Sequence, residues 1–158
     1  MKLYVRQKVF SWGEKFSVYD ESGREHYTVR GEVLTLGRRL HVYDEEGGEL
    51  ALIRQKVLSL MPRFFISVGG RNVAEIKQEF ALAKPKYRVI GPEWKVQGDF
   101  MAHEYTFTGA DGRELAAVSK HWFTWGDTYE VDAFRSEDML MALCVTIAID
   151  ASLFQYRA

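Results

Sequence analysis

The chain has 158 residues, a mass of 18.3 kDa and a formal net charge of −1, from 21 basic and 22 acidic residues. A chain of this length closes a core without a metal or a disulfide, and we expect a single domain over 1–158. The even charge balance excludes a global field that attracts nucleic acid, so no nucleic-acid partner is expected.

Cysteine usage and the first residues favour a reducing, cytoplasmic location. Cys144 is the single cysteine, so the chain cannot form an intramolecular disulfide. The opening segment "MKLYVRQKVF" lacks the long apolar stretch of a secretory signal. We therefore expect a cytoplasmic protein, with peripheral contact to a membrane as an option.

A short motif recurs along most of the chain. The stretch "VRQKVFSWG" from Val5 returns as "VRGEVLTLG" from Val29, "IRQKVLSLMP" from Ile53, "IKQEFALAKP" from Ile76 and "VSKHWFTWG" from Val118. Alternating apolar residues in "KFSVYD" and "RLHVYD", together with turns that contain glycine, are typical of antiparallel hairpins. The repeat therefore predicts a chain of similar hairpins.

The repeat predicts twelve strands. The last interval is 42 residues, against 23 or 24 for the others, and accommodates one extra hairpin over about 87–107. The predicted strands are 3–10, 15–20, 24–34, 38–44, 48–58, 63–68, 72–80, 86–91, 94–99, 102–109, 113–122 and 127–133.

An apolar segment follows the last strand and predicts a helix over about 137–156. Among the eleven residues from Met139 to Ile149, Thr146 is the only polar one, so the helix is apolar on every side and has to be enclosed. Ser136 is the expected cap of its first turn. The apolar run is shorter than the ~20 residues that cross a bilayer and meets Asp150, so no transmembrane span is expected.

Together these elements predict a mainly β fold, a twelve-stranded antiparallel closed β-barrel that encloses a hydrophobic C-terminal helix. A barrel of this size leaves a lumen that wall side chains alone do not fill. The helix positions expected inside it are Met139, Leu143, Cys144, Ile147 and Asp150.

Three segments give the chain a family resemblance. The hairpin "VRQKVFSWGEKFSVYDESG", the "SKHW" from Ser119 to Trp122 and the closing "IAIDASLF" with Asp150 resemble the LURP-one-related family, which is grouped with phospholipid scramblases and tubby C-terminal domains. The resemblance implies the same barrel threaded by a hydrophobic helix. It also implies lipid chemistry, because tubby domains bind phosphoinositides and scramblases are linked to calcium-dependent lipid movement. The scramblase calcium segment is not matched, since "WGDTYEVDAFRSED" has no close-spaced Asp/Asn ligands.

The sequence carries no motif for catalysis, a cofactor or a metal ion, and none of these is expected. The four histidines, His26, His41, His103 and His121, are interpreted as surface or sheet-face residues, with His121 the first to inspect. Asp150 lies on an enclosed helix and needs a partner. We expect it to bond an arginine of the barrel wall or a backbone N–H, and so to fix the position of the helix.

Successive turns of a meander alternate between the two mouths of a barrel, which sorts the charges into two groups. One mouth receives six basic residues against three acidic ones, and the other receives thirteen acidic residues, among them Glu45 and Glu46, against four arginines. The six basic residues are Lys15, Arg38, Arg39, Arg63, Lys84 and Lys86. Apolar residues lie in or beside the same turns: Trp12, Leu60, Met61, Phe100 and Trp125.

These charges lead to three functional hypotheses. In the first, the basic mouth, with Trp12 and Trp125, docks on anionic or phosphoinositide lipids. The alternative for this mouth is that its apolar side chains plug the barrel end and its charges keep the turns soluble. In the second, the acidic mouth or a sheet face binds a protein partner. The third, a small-ligand carrier or enzyme, is disfavoured because a filled lumen should leave no cavity of about 300 Å³.

Overall fold

The computed structural model describes residues 1–6, 15–32, 35–121 and 128–157, apart from the side chains of 121 and 154–157. These residues form twelve strands and a C-terminal helix. The strands are β1 (Lys2–Arg6), β2 (Lys15–Asp20), β3 (Glu25–Gly31), β4 (Arg39–Tyr43), β5 (Glu49–Gln55), β6 (Arg63–Val68), β7 (Arg71–Glu79), β8 (Lys86–Ile90), β9 (Lys95–Asp99), β10 (Glu104–Thr108), β11 (Glu114–His121) and β12 (Thr128–Ala133). A 3-10 turn (Ser136–Asp138) leads into the helix α1 (Met139–Arg157).

The strands close into one antiparallel barrel in chain order. Each strand pairs with its sequence neighbours, and β1 closes the ring by pairing with β12 from Lys2↔Asp132 to Arg6↔Thr128. The amino group of Met1 donates to the carbonyl of Ala133 at 2.9 Å and extends this seam. The predicted fold class is therefore confirmed.

Alternation along each strand decides which side chains face the lumen. In β4 the buried residues are Leu40 and Val42, and in β6 they are Phe64 and Ile66, with less buried residues between them. These inward residues meet a helix whose predicted lumen positions are all buried, with Leu143 and Ile147 fully excluded from solvent. The core therefore lies between the barrel wall and an enclosed helix.

The ends of several elements differ from the predictions. The helix begins at Met139, because residues 136–138 form a 3-10 turn in which the amide of Asp138 donates to the carbonyl of Arg135, and Ser136 is not its cap. The strand predicted over 48–58 ends at Gln55, since Leu58 adopts a left-handed φ of 59° that turns the chain towards β6. Residues 7–10, 33, 34, 122 and 127, also predicted as strand, fall outside the described ranges.

The described helices contain none that combines the length and apolar character needed to span a membrane. Although α1 has 19 residues, Asp150 lies within it.

The ladder between β8 and β9 is the shortest in the barrel, with the single pair Arg88↔Lys95. On its other side β9 pairs fully with β10. Gly98 lies in this second ladder with φ 142°, and a Cβ there would meet the carbonyl oxygen of Glu104 at 2.3 Å and the Cα of Tyr105 at 2.5 Å. Only glycine permits this close approach of two backbones.

We expect Gly98→Ala to destabilise the protein by about 3 kcal/mol or more, because neither backbone segment can move without breaking the ladder. Urea unfolding measures the loss. Gly112→Ala is the matched control: its φ is 80°, but nothing lies within 4 Å of an added Cβ, so the cost is limited to about 1–2 kcal/mol of left-handed backbone strain. Equal losses in the two variants would contradict the close approach.

Candidate functional site at the helix-exit mouth

The helix runs from one mouth of the barrel to the other, and its last turns lie among the connections β3–β4, β5–β6, β7–β8 and β9–β10. We call this end the helix-exit mouth. The described residues of its turns are 32, 35–38, 56–62, 80–85 and 100–103. Three wall residues contact consecutive helix residues here, since His103 bonds Asp150, Arg38 bonds Ala151, and Tyr87 bonds Ser152.

The partner of Asp150 is a histidine. The Nε2 of His103 lies 2.6 Å from the Oδ1 of Asp150, and both side chains are almost fully buried. The His103 ring stacks on Tyr129 at a centroid distance of 4.6 Å. The sequence predicts an arginine or a backbone N–H here and misses this histidine. The interpretation of His103 as a surface or sheet-face residue was wrong, because its side chain is buried in the β9–β10 turn. At the β9–β10 turn His103 has a left-handed φ of 54°, a conformation that the residue pattern did not reveal.

Two buried tyrosines line the same part of the lumen. Burial, with the nearby Asp150 carboxylate as the next cause, raises the pKa of Tyr129 and Tyr105 well above the ordinary value. Both phenols therefore stay neutral at neutral pH, which suits a packed end of the core.

Arg38 is also buried at the helix-exit mouth. Its Nη1 donates to the carbonyl oxygen of Ala151 at 3.1 Å, and burial lowers the pKa of its guanidinium. Arg38 thus contacts the helix and does not contribute to a surface.

The other predicted basic residues lie where strands begin at the helix-exit mouth or in its turns. Lys15, Arg39 and Lys86 are exposed at the first positions of β2, β4 and β8. Exposed Lys84 binds Asp99 at 3.0 Å. Half-buried Arg63 pairs with Glu75. The predicted Trp12 and Trp125, and the side chain of His121, lie outside the described residues.

Sequence reasoning placed Leu60 at this mouth but missed most of the other exposed apolar side chains in these turns. Leu60 is almost completely exposed, at 104%, and so are Leu58 and Leu82, at 99% and 98%, which the prediction did not include. The turn sequences "VLSLMP" and "FALAKP" carried the signal, because apolar residues beside a proline turn have no strand face to pack on. Phe100, grouped with them in the prediction, is buried and packs on Tyr87 instead.

A cleft of about 440 Å³ opens beside these turns. Leu153 of the helix contributes to its lining, together with residues of the turns β5–β6, β7–β8 and β9–β10. The prediction that no cavity of about 300 Å³ remains concerned the lumen, which the helix fills. The cleft lies at the rim of the barrel, which that prediction did not consider. No group of three or more potential metal ligands is found among the described side chains.

We expect Asp150→Ala to lower the free energy of unfolding by about 1–3 kcal/mol, because the buried imidazole of His103 loses its hydrogen-bond partner. Urea unfolding measures the change. Glu46→Ala, in an exposed turn at the opposite mouth, is the control and should stay within about 0.5 kcal/mol of the parent. An Asp150→Ala protein as stable as the parent would show that the pair does not hold the helix.

The enclosed Cys144 provides a direct test of the buried helix. Burial raises its pKa to about 12, whereas an ordinary thiol with a pKa of about 8.5 reacts readily with a disulfide reagent at about pH 8. We expect no labelling of the folded protein on the timescale that labels Ser59→Cys, a cysteine introduced at an exposed turn position. Denaturant should make Cys144 fully reactive, and rapid labelling of the native parent protein would contradict an enclosed helix.

Comparison with known proteins agrees with this architecture. A family model described as LURP-one-related matches residues 1–150. The uncharacterized protein YxjI of Bacillus subtilis (strain 168) is 34% identical over 154 residues, which cover 98% of this chain and 94% of that protein. An X-ray structure of an Arabidopsis thaliana protein superposes with a TM-score of 0.65 at 15% identity, covering 95% of this chain and 90% of that one, and supports the fold. The chain therefore belongs to the LURP-one-related family.

Proposed function

We propose that this protein is a peripheral membrane-binding module that docks its helix-exit mouth on an anionic or phosphoinositide-containing lipid surface. Membership in the LURP-one-related family fits a non-catalytic binding module. The observation that carries the lipid proposal is the concentration of exposed apolar side chains in the turns of this mouth.

Among the described residues, ten large apolar side chains are exposed, and seven of them lie in the turns of the helix-exit mouth. These seven are Leu36, Val57, Leu58, Leu60, Phe80, Leu82 and Met101. Single exposed apolar residues are ordinary on a protein surface, but a concentration of them at one end is typical of an interaction surface. We refer to the seven as the apolar tips.

The turns that carry the apolar tips are neighbours in space. A Cβ added to Gly37 would lie 3.2 Å from the Cγ2 of Val57, so the β3–β4 and β5–β6 turns are in contact. Met61, Phe80 and Met101 line one cleft, which joins the β5–β6, β7–β8 and β9–β10 turns. The tips therefore form one surface instead of separate points.

Apolar insertion is the larger energetic contribution in this proposal. Full burial of one leucine side chain is worth roughly 1.5–3 kcal/mol, and each basic residue near an anionic surface adds about 1 kcal/mol. Arg38 bonds the helix, Arg63 pairs with Glu75, and Lys84 pairs with Asp99. Exposed Lys15, Arg39, Lys56 and Lys86 supply the remaining attraction to anionic headgroups.

The acidic residues of the opposite mouth give weaker support to a protein-binding scaffold. Asp20 accepts hydrogen bonds from the amides of Ser22 and Arg24, and Asp44 accepts one from the amide of Gly48. Such bonds are the ordinary reason for aspartate in a tight turn. The turns themselves thus account for these two aspartates without a partner protein.

Vesicle co-sedimentation tests the proposal. We expect the protein to bind vesicles that contain anionic phospholipid or phosphoinositide, and to bind neutral phosphatidylcholine vesicles more weakly. Leu60→Gln with Leu82→Gln should weaken binding at least about tenfold, because two exposed leucines no longer enter the interface. Lys15→Glu with Lys86→Glu should weaken anionic binding selectively and reduce its sensitivity to salt.

Phe134→Gln is the matched control, because Phe134 is an exposed apolar residue near the opposite mouth, 60% accessible to solvent. It should leave vesicle binding unchanged. The proposal fails if the parent protein does not sediment with anionic vesicles, or if the paired leucine substitutions have no more effect than Phe134→Gln.

A further inference from the structure

The cleft at the helix-exit mouth has an apolar lining. Its volume of about 440 Å³ lies within the range of about 300–1,000 Å³ that small-molecule sites occupy. Seven of its ten lining residues are apolar, and the other three are Gln78, Glu79 and Lys84. The apolar seven are Met61, Phe80, Ala81, Ala83, Pro85, Met101 and Leu153.

The cleft has a fixed side and an adaptable side. Leu153 is 1% exposed and belongs to the helix, which Arg38 and His103 hold against the barrel two and three residues earlier, at Ala151 and Asp150. Met61 and Met101 come from two different turns, and the unbranched methionine side chain adapts to occupants of varied shape. This combination suits a flexible apolar chain better than a rigid polar ligand.

We infer that this cleft binds a single acyl chain of a membrane phospholipid. The inference rests on the proposed function, because docking of the apolar tips brings the cleft to the bilayer and lets a chain enter without crossing water. Lys84 of the lining is paired with Asp99, so exposed Lys86, two residues further on, is the cation that would attract the phosphate of that lipid.

An extended peptide is a less suitable occupant. Of the described strands, only β7 contributes lining residues, Gln78 and Glu79, and it pairs with β6 and β8, so it offers no free edge for main-chain hydrogen bonds. A peptide backbone in an apolar cleft would bury amide groups without partners, whereas an acyl chain brings none.

Binding of monomeric single-chain lipids tests the inference without any bilayer. Three competitors are tested for displacement of a fluorescent acyl probe: a long-chain lysophosphatidylglycerol, a free fatty acid of the same chain length and an amphipathic apolar peptide. Native mass spectrometry gives the stoichiometry. We expect one lysophospholipid per protein, displacing the probe more effectively than the peptide or the free fatty acid.

Ala83→Trp places an indole at the cleft from an exposed turn position and should weaken lysophospholipid binding at least about tenfold. Ala81→Trp provides a second blocking variant from the same lining. Ala110→Trp, at an exposed turn of the opposite mouth, is the control and should bind like the parent. Thermal unfolding of all three variants checks that each is folded.

The outcomes separate this inference from the proposed function. A parent protein that docks on vesicles yet shows no saturable acyl binding, or binding that Ala83→Trp leaves unchanged, overturns the cleft assignment and leaves docking intact. Stronger binding of the peptide or of the free fatty acid overturns the phospholipid as occupant. Acyl binding without vesicle docking contradicts the proposed function and the bilayer as the source of the chain. Retained docking of Ala83→Trp with lost acyl binding supports both.

Discussion

The whole structure depends on mutual enclosure of one apolar helix and one wide barrel. From Ala142 to Ile149 the described side chains of α1 are at most 1% exposed. Without the barrel this helix would present apolar surface to water on every side. Without the helix, the twelve-stranded barrel would have an unfilled lumen. Each element thus buries apolar surface that the other would leave in water, so the fold has one core to which local and distant parts of the chain both contribute.

Polar contacts near the end of the helix fix its position along the barrel axis. Apolar packing is non-directional and tolerates sliding, whereas hydrogen bonds do not. The pair Asp150 and His103, and the bond from Arg38 to the carbonyl of Ala151, hold consecutive helix residues against two different turns. These contacts also hold the part of the helix that lies at the helix-exit mouth. Function is commonly carried by loops held on such a scaffold.

The two mouths differ in how their turn residues are used. At one end, Asp20, Asp44 and Asp111 accept hydrogen bonds from amides of their own turns, so their chemistry serves folding. At the helix-exit mouth, Leu58, Leu60 and Leu82 contribute almost nothing to the core, because they are nearly fully exposed. Apolar residues that are exposed to water and do not contribute to the core are the strongest candidates for a binding surface. The lipid-docking proposal and the acyl-chain cleft both follow from this asymmetry.

The sequence by itself determined the architecture. A repeat of 23 or 24 residues, alternating strands and one apolar segment that ends at Asp150 are local patterns with fixed structural periods, and they sufficed for twelve strands and an enclosed helix.

The tertiary structure alone decided which polar residue meets Asp150, because His103 is 47 residues away and reaches it through the closure of the barrel. It likewise decided that Arg38 is buried while Leu60 and Leu82 are exposed, since the orientation of a turn side chain depends on neighbouring turns and on no period along the chain. The cleft is formed by the helix end and three separate turns, and so exists only once the barrel has closed around the helix.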